Sequence, residues 1–253
     1  MVLSVELFLQ RLEAEVRSHP ALHHPFLRRF AQGGLRRIQL WAFGLQHYQL
    51  VRVFTAYLEA LFQIIPDAEV REWIHRVLED EYARPHAYDR SHPALYRKFL
   101  RALGLSEEDW DRAEALPETQ AFITHHIELT SLLHFLVGLG AVGPGHEWAI
   151  PTMFTYLMEG LRKVGVEEKP LEYFTLHMAQ DLEHGRLLRM AMARYAEAPE
   201  NQQRIVDGAG ASLGARAPFW DGLYRAVFED LAPSFAHEVH SEAEEGDTPG
   251  GKE

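Results

Sequence analysis

Residues 35–64 carry Leu40, Trp41, Phe43, Leu45, Tyr48, Val51, Phe54, Tyr57, Leu58, Leu61 and Phe62 in overlapping i, i+3 and i+4 series. A helix built from them is apolar around most of its circumference, so it has to sit inside a shell of other elements. The rest of the chain supplies that shell. Apolar periodicity predicts further helices at about 3–18, 26–32, 67–83, 92–103, 118–138, 145–165, 169–196 and 198–231, and no run of alternating β-branched residues competes with them. Gly33-Gly34, Pro66-Asp67, Gly104 with Ser106, and Gly143-Pro144-Gly145 punctuate the pattern. The fold class is therefore all-α, a compact antiparallel helical bundle. With 253 residues and 47% hydrophobic content the chain can form one large domain, placed at 1–232. The remaining 233–253 are acidic, contain glycine and have almost no apolar residues, which predicts a disordered tail.

A net charge of −12, without Lys/Arg clusters, argues against a nucleic-acid partner. The absence of cysteine removes disulfides, thiolate nucleophiles, iron–sulfur clusters and Cys-ligated zinc, leaving imidazole and carboxylate as the metal-binding side chains. The start of the chain has no basic region and soon reads Arg11, Glu13, Glu15 and Arg17, which argues against a signal peptide, and the longest apolar stretch, about Thr130 to Gly143, is too short to span a bilayer. A cytoplasmic protein with no membrane association is expected.

The segment His177-Met178-Ala179-Gln180-Asp181-Leu182-Glu183-His184 places His177, Asp181 and His184 at i, i+4 and i+7, on one helix face. Two imidazoles and a carboxylate are a ligand set for iron or manganese, although such spacing also occurs on a solvated helix face. A carboxylate-bridged pair of ions needs about three more ligands from facing helices. Glu79-Asp80-Glu81 closes one predicted helix, where acidic side chains oppose the macrodipole unless a cation compensates them. His92 opens the next helix. Glu147 stands within an apolar run, where a lone carboxylate is costly.

These pieces carry a family resemblance. His24-Pro25-Phe26, Gln46-His47-Tyr48, Asp80-Glu81, His92-Pro93-Ala94-Leu95-Tyr96 with Ala102-Leu103-Gly104-Leu105, Glu147-Trp148-Ala149-Ile150-Pro151, Tyr173 through His184, and Trp220-Asp221-Gly222 follow the order and spacing of one group. Over about residues 18–231 the chain resembles the heme-oxygenase-like diiron oxidases, fold relatives of the pyrroloquinoline-quinone synthases and TenA thiaminases. It looks most like the branch containing the chlamydial death-domain-associating protein. The quinone synthases lack histidines matching His92 and His177, and the thiaminases rely on a cysteine that this chain does not have.

The resemblance implies a heme-oxygenase-like bundle, two iron ions (or iron with manganese) and the ligand set Glu81, His92, Glu147, His177, Asp181 and His184. Residues Ala83 to Ser91 form a longer loop than is usual in this branch, so His86 could replace His92 and Asp89 could add a ligand. His92 is preferred because the residues after it keep the family's register. His125, His126 and Glu128 are candidates for orienting the ligands. The implied activity is O2-dependent oxidation of a small organic molecule, in para-aminobenzoate-type, amino-acid or fatty-acid metabolism. The alternatives are a cofactor-free oxidase of the quinone-synthase kind and a non-catalytic metal-binding or interaction module. In the para-aminobenzoate branch a tyrosine is proposed to be consumed as the source of the product, and here that position is Leu27. This leaves Tyr48, Tyr57 or a separate small molecule. A homodimer is expected.

Overall fold

The computed structural model describes residues 3–84 and 87–229, with Asp181 and Leu182 described by their backbone alone. His86 and the acidic segment 233–253 lie outside the described residues. The helices are α1 Val5–Ser18, α2 Pro25–Ala31, α3 Arg37–Val51, α4 Phe54–Ile64, α5 Ala68–Tyr82, α6 His92–Ala102, α7 Glu107–Arg112, α8 Pro117–Ser131, α9 Phe135–Val142, α10 Ile150–Lys163, α11 Glu172–Ala193 and α12 Pro199–Tyr224, and the described residues contain no strand.

Side-chain caps account for several helix starts. Ser4 accepts from Leu7 N, and Asp67 accepts from both Glu69 N and Val70 N. Ser106 and Asp109 form a capping box that starts α7, a short helix that the apolar periodicity did not predict. Two long predicted helices are divided. The one at 35–64 breaks between α3 and α4, where Val53 N bonds to Leu50 O at 3.2 Å in a tightened turn that no proline or glycine signals. The one at 118–138 breaks because the ring of His134 accepts from Leu136 N and caps a new helix, α9.

As its all-round apolar pattern requires, α3 is buried at every position from Leu40 to Val51. Its polar residues there are Gln46, His47, Tyr48 and Gln49. The Gln46 amide donates to Glu114 O and accepts from Leu116 N and Thr119 Oγ1, while Gln49 donates to Ala113 O, which ties the connection before α8 onto the core. Phe26 stacks on Trp220, with ring centroids 5.2 Å apart, and joins α2 to α12. The crossing of α9 on α12 depends on glycine. A Cβ on Gly140 would lie 2.1 Å from Ile205 O, and one on Gly208 would lie 1.9 Å from Val137 O. This close approach brings α12 against the turn after α9, where Glu147 lies. Among the described residues no helix is long and apolar enough to cross a membrane.

Candidate metal centre

Four segments converge in the bundle interior: the last turn of α5, the first turn of α6, the turn between α9 and α10, and the middle of α11. Helix α5 ends just after Glu81, because Ala83 adopts a left-handed conformation with φ +52° that only a residue past the helix end tolerates. His92 begins α6, with Pro93 fixing the first helical turn behind it. Helix α10 was expected from about residue 145. Instead Gly143–Glu147 forms a π turn, in which Trp148 N bonds to Gly143 O at 3.0 Å. A Cβ on Gly145 would lie 2.4 Å from Ser212 Cβ, so glycine lets this turn rest on α12 and direct Glu147 inward.

Glu81, His92, Glu147, His177 and His184 are all buried. They form two overlapping triads, Glu81/His92/His177 and Glu81/Glu147/His184, and within each the ligand-type atoms lie within 4.8 Å of one another. Glu81 belongs to both. One of its oxygens is 2.5 Å from His92 Nδ1, and the other is 3.9 Å from His184 Nδ1. His184 Nδ1 is also 3.6 Å from Glu147 Oε2. The His92 and His177 rings lie 4.0 Å apart.

Each histidine is held by one nitrogen. His177 Nδ1 donates to Tyr173 O at 3.1 Å, His92 Nε2 donates to Gln180 Oε1 at 2.9 Å, and His184 Nε2 donates to Asp80 Oδ2 at 3.2 Å. Such outer contacts fix the tautomer and leave the opposite nitrogen for a ligand. Among the described residues the inner atoms Glu81 Oε1, Glu147 Oε2 and His184 Nδ1 are buried and have no hydrogen-bond partner, while His92 Nδ1 faces the other Glu81 oxygen as an ion pair. Orphaned buried polar atoms are rare, and three of them converging from two carboxylates and an imidazole fit a bound transition-metal cation. Burial pulls against the charge of His184, but Asp80, Glu147 and Glu81 override it and raise its pKa to about 11. His92 is likewise raised against its burial by Glu81 and Gln180, whereas burial and the neighbouring His92 keep His177 far below the usual range. The carboxylates thus favour the protonated imidazoles of His92 and His184, a preference that a bound cation would oppose.

Of the expected ligands, Glu81, His92, Glu147, His177 and His184 come together; the side chain of Asp181, like all of His86, lies outside the described residues. Asp89 does not join them. It is exposed at 81% of its side chain and sits 3.9 Å from Lys98, because residues 88–90 form a surface turn before α6. Two of the three expected orienting residues are also displaced, since His125 is half-buried, Glu128 is exposed, and the two lie 4.0 Å from each other. His126 is buried, but it bonds to Phe122 O and Ser212. Asp80, Gln180 and the Tyr173 carbonyl orient the ligands instead.

A cavity of about 30 Å³ adjoins the triads, and its walls include Glu81, His92, Tyr173 and His177 as well as His47, Phe54, His146, Arg216 and Trp220. Of the tyrosines, Tyr173 lines it, its ring 4.4 Å from that of His177. Tyr48 turns away, accepting from Arg97 through its hydroxyl and stacking on Tyr96.

Residues 42–217 match the family described as iron-containing redox enzymes. The 4-aminobenzoate synthase of Chlamydia pneumoniae is 30% identical over 207 residues, covering 80% of this chain and 88% of that protein. The 4-aminobenzoate synthase of Nitrosomonas europaea is 26% identical over 235 residues, covering 88% of this chain and 94% of that protein. A solved domain with a heme oxygenase-like fold from Shewanella denitrificans superposes with a TM-score of 0.70 at 13% identity, covering 89% of this chain and 94% of that chain. The expected all-α, heme-oxygenase-like architecture is thus found, and the chain belongs to the family of iron-containing redox enzymes, which are metal-dependent oxidoreductases.

Proposed function

We propose that Glu81, His92, Glu147, His177, Asp181 and His184 hold two iron ions, with Glu81 common to both, in an oxidase or oxygenase that uses O2 on a small organic molecule. The observation that carries this reading is the pair of buried triads sharing Glu81, in which Glu81 Oε1, Glu147 Oε2 and His184 Nδ1 lack hydrogen-bond partners among the described residues. When bound, such ions supply the redox electrons for dioxygen chemistry, and manganese in one position is compatible with the same donors. The chain's own residues place the donors and keep water out. Asp80, Gln180 and the Tyr173 carbonyl aim the three imidazoles, and Phe54, Ile150, Met153 and Phe154 give the adjoining cavity apolar walls. Three carboxylates against two divalent cations leave a residual charge of about +1, tolerable in a bundle interior.

The names of the two relatives support a para-aminobenzoate-type reaction over amino-acid or fatty-acid oxidation. Leu27 is buried and carries no hydroxyl, so the substrate is a separate small molecule unless another tyrosine is consumed; Tyr173, beside the ligands, is then better placed than Tyr48 or Tyr57. The reading keeps residues 1–232 as one domain, a homodimer and a cytoplasmic location, to be checked by limited proteolysis, light scattering and fractionation.

The test is metal analysis and Mössbauer spectroscopy of protein loaded anaerobically with iron, followed by oxygen uptake in loaded and chelated samples with candidate substrates. Two irons per chain and uptake only in the loaded sample are expected. Equal uptake after chelation would identify a cofactor-free oxidase, and bound iron without uptake would identify a binding protein.

A further inference from the structure

The cavity that adjoins the triads is also lined by a buried cation for which the described residues supply no counter-ion. Arg216, on α12, is 3% exposed, and among the described residues no carboxylate pairs with it. Its Nη2 donates to His146 Nδ1 at 2.9 Å and to Gly145 O at 3.4 Å, its guanidinium lies 4.9 Å from the centre of the Phe122 ring, and its Nε has no partner. Taking a guanidinium out of water costs several kcal/mol unless an anion or a full set of acceptors compensates it. Burial pulls this group down to about 10, so it still carries its charge at neutral pH.

The neighbouring polar groups are as incomplete as Arg216 itself. Trp220 follows it by four residues, hence on the same helix face, and its buried Nε1 has no acceptor. His47 Nδ1, also on the cavity wall, is buried and unpartnered. In the triads the orphaned atoms include carboxylate oxygens and suit a cation. Here an N–H of Arg216 and the N–H of Trp220 lack acceptors among the described residues, and they suit an anion. The rest of the lining includes the apolar side chains of Leu50, Val51, Phe54, Met153 and Phe154.

We propose that Arg216 and Trp220, with His47 beside them, form the anchoring subsite for the carboxylate of a small organic acid, whose apolar body extends along this wall toward Glu81, His92 and His177. The proposal rests on the preceding reading for what the bound acid is used for, but the binding itself is independent of turnover. A bidentate guanidinium–carboxylate pair would complete Arg216, and the Trp220 N–H would add direction. The competing role is structural: Arg216 could serve only to hold Gly145, and with it the turn carrying Glu147.

The experiment titrates the full-length chain with acetate, propionate and benzoate, and with acetamide, propionamide and benzamide as neutral isosteres. Affinity is followed by calorimetry at matched ionic strength, and metal content is measured in the same samples. At least one acid should bind and its amide should not. Arg216→Met should weaken that acid by about 10- to 100-fold, the range for losing a hydrogen bond to a charged group, and Arg216→Lys should weaken it less. No binding of any acid to the wild type, or undiminished binding to Arg216→Met at unchanged metal content, would overturn the subsite. If Arg216→Met also loses metal, Trp220→Phe decides, because it leaves the Gly145 and His146 contacts in place. Weaker acid binding in that variant at full metal content supports the subsite, and unchanged binding overturns it. Wild-type protein that binds the acid but no iron would instead refute the diiron reading alone.

Discussion

Replacing Glu81 by glutamine should abolish both metal positions at once, and should also remove the buried carboxylate that pairs with His92 and His184. Glu81 is common to the two triads, is 2% exposed and has one oxygen without a hydrogen-bond partner. The amide keeps its volume but is a far poorer ligand than a carboxylate. A ligand at a hundred times its Kd stabilises the folded state by about 2.7 kcal/mol, so two ions contribute roughly 5 kcal/mol. For a chain of this length 1 kcal/mol moves Tm by about 2–4 °C, so chelating the wild type should lower Tm by roughly 10–20 °C. Glu81→Gln should show almost no such shift on chelation, its Tm lying at or below that of the chelated wild type, because the amide opens no cavity but leaves His92 and His184 without their shared carboxylate. Scanning calorimetry with and without iron, paired with mass-spectrometric metal counts, measures both quantities. A wild type indifferent to chelation would refute the argument, as would a Glu81→Gln variant that still binds two ions.

His92→Ala should reduce bound iron more than His86→Ala, measured by metal content after identical loading, because His92 is buried beside Glu81 at a helix start; the reverse ranking would reassign the ligand. Burial and the nearby Arg216 charge hold His47 and His126 at about 3, well below the unfolded value near 6.5. A lowered histidine pKa favours the folded state above 6.5 and loses that contribution as pH falls toward 3, by about 1.4 kcal/mol per unit for each group at most. Urea titrations of chelated protein across this window should show that loss, and His126→Gln should show a shallower one; equal slopes would contradict the assignment. Gly140→Val should destabilise the fold by about 1–3 kcal/mol or more in urea unfolding, as expected of overpacking, since its Cβ would meet Ile205 O. A neutral effect would mean that the crossing of α9 and α12 is looser than described.

The sequence announced side chains whose chemistry is conspicuous at their position. Glu147 stands out as a carboxylate in an apolar run, Glu81 as an acid at a helix end, and His177 with His184 as a seven-residue spacing. The choice of His92 over His86 came from the family resemblance. Asp89 misled because a carboxylate in a polar loop looks the same whether it faces a metal or water. Tertiary packing made the other residues important. Arg216 sits in a helix rich in charged and small residues and reads there as a solvated cation; it is buried where α12 packs on the Gly145–His146 turn and on Phe122. Gln180 and Asp80 gain their roles from helices that meet only in the fold. The one sequence hint that passed unused is His146, a second titratable group beside Glu147 behind Gly143-Pro144-Gly145. The break after Val51 has no composition signal, since its cause is a local tightening of hydrogen bonds.

The π turn at Gly143–Glu147 also acts as a phase shifter. Each residue advances a helix by about 100°, and the wider turn takes up one residue that an α-helix would have to spend on rotation. Helix α9 can therefore face α12, and α10 can face α2, while the side chain at the junction points to neither neighbour but to the interior. Shortening the segment by one residue would leave every ligand in the sequence and turn Glu147 through about a quarter of a circle relative to one of its flanking helices. The widened turn also leaves the Gly145 carbonyl to α12, where Ser212 at 3.1 Å and Arg216 at 3.4 Å hold it two residues before Glu147. A ligand that pulled on the guanidinium would be pulling, through one peptide, on the angular setting of a carboxylate in the metal centre.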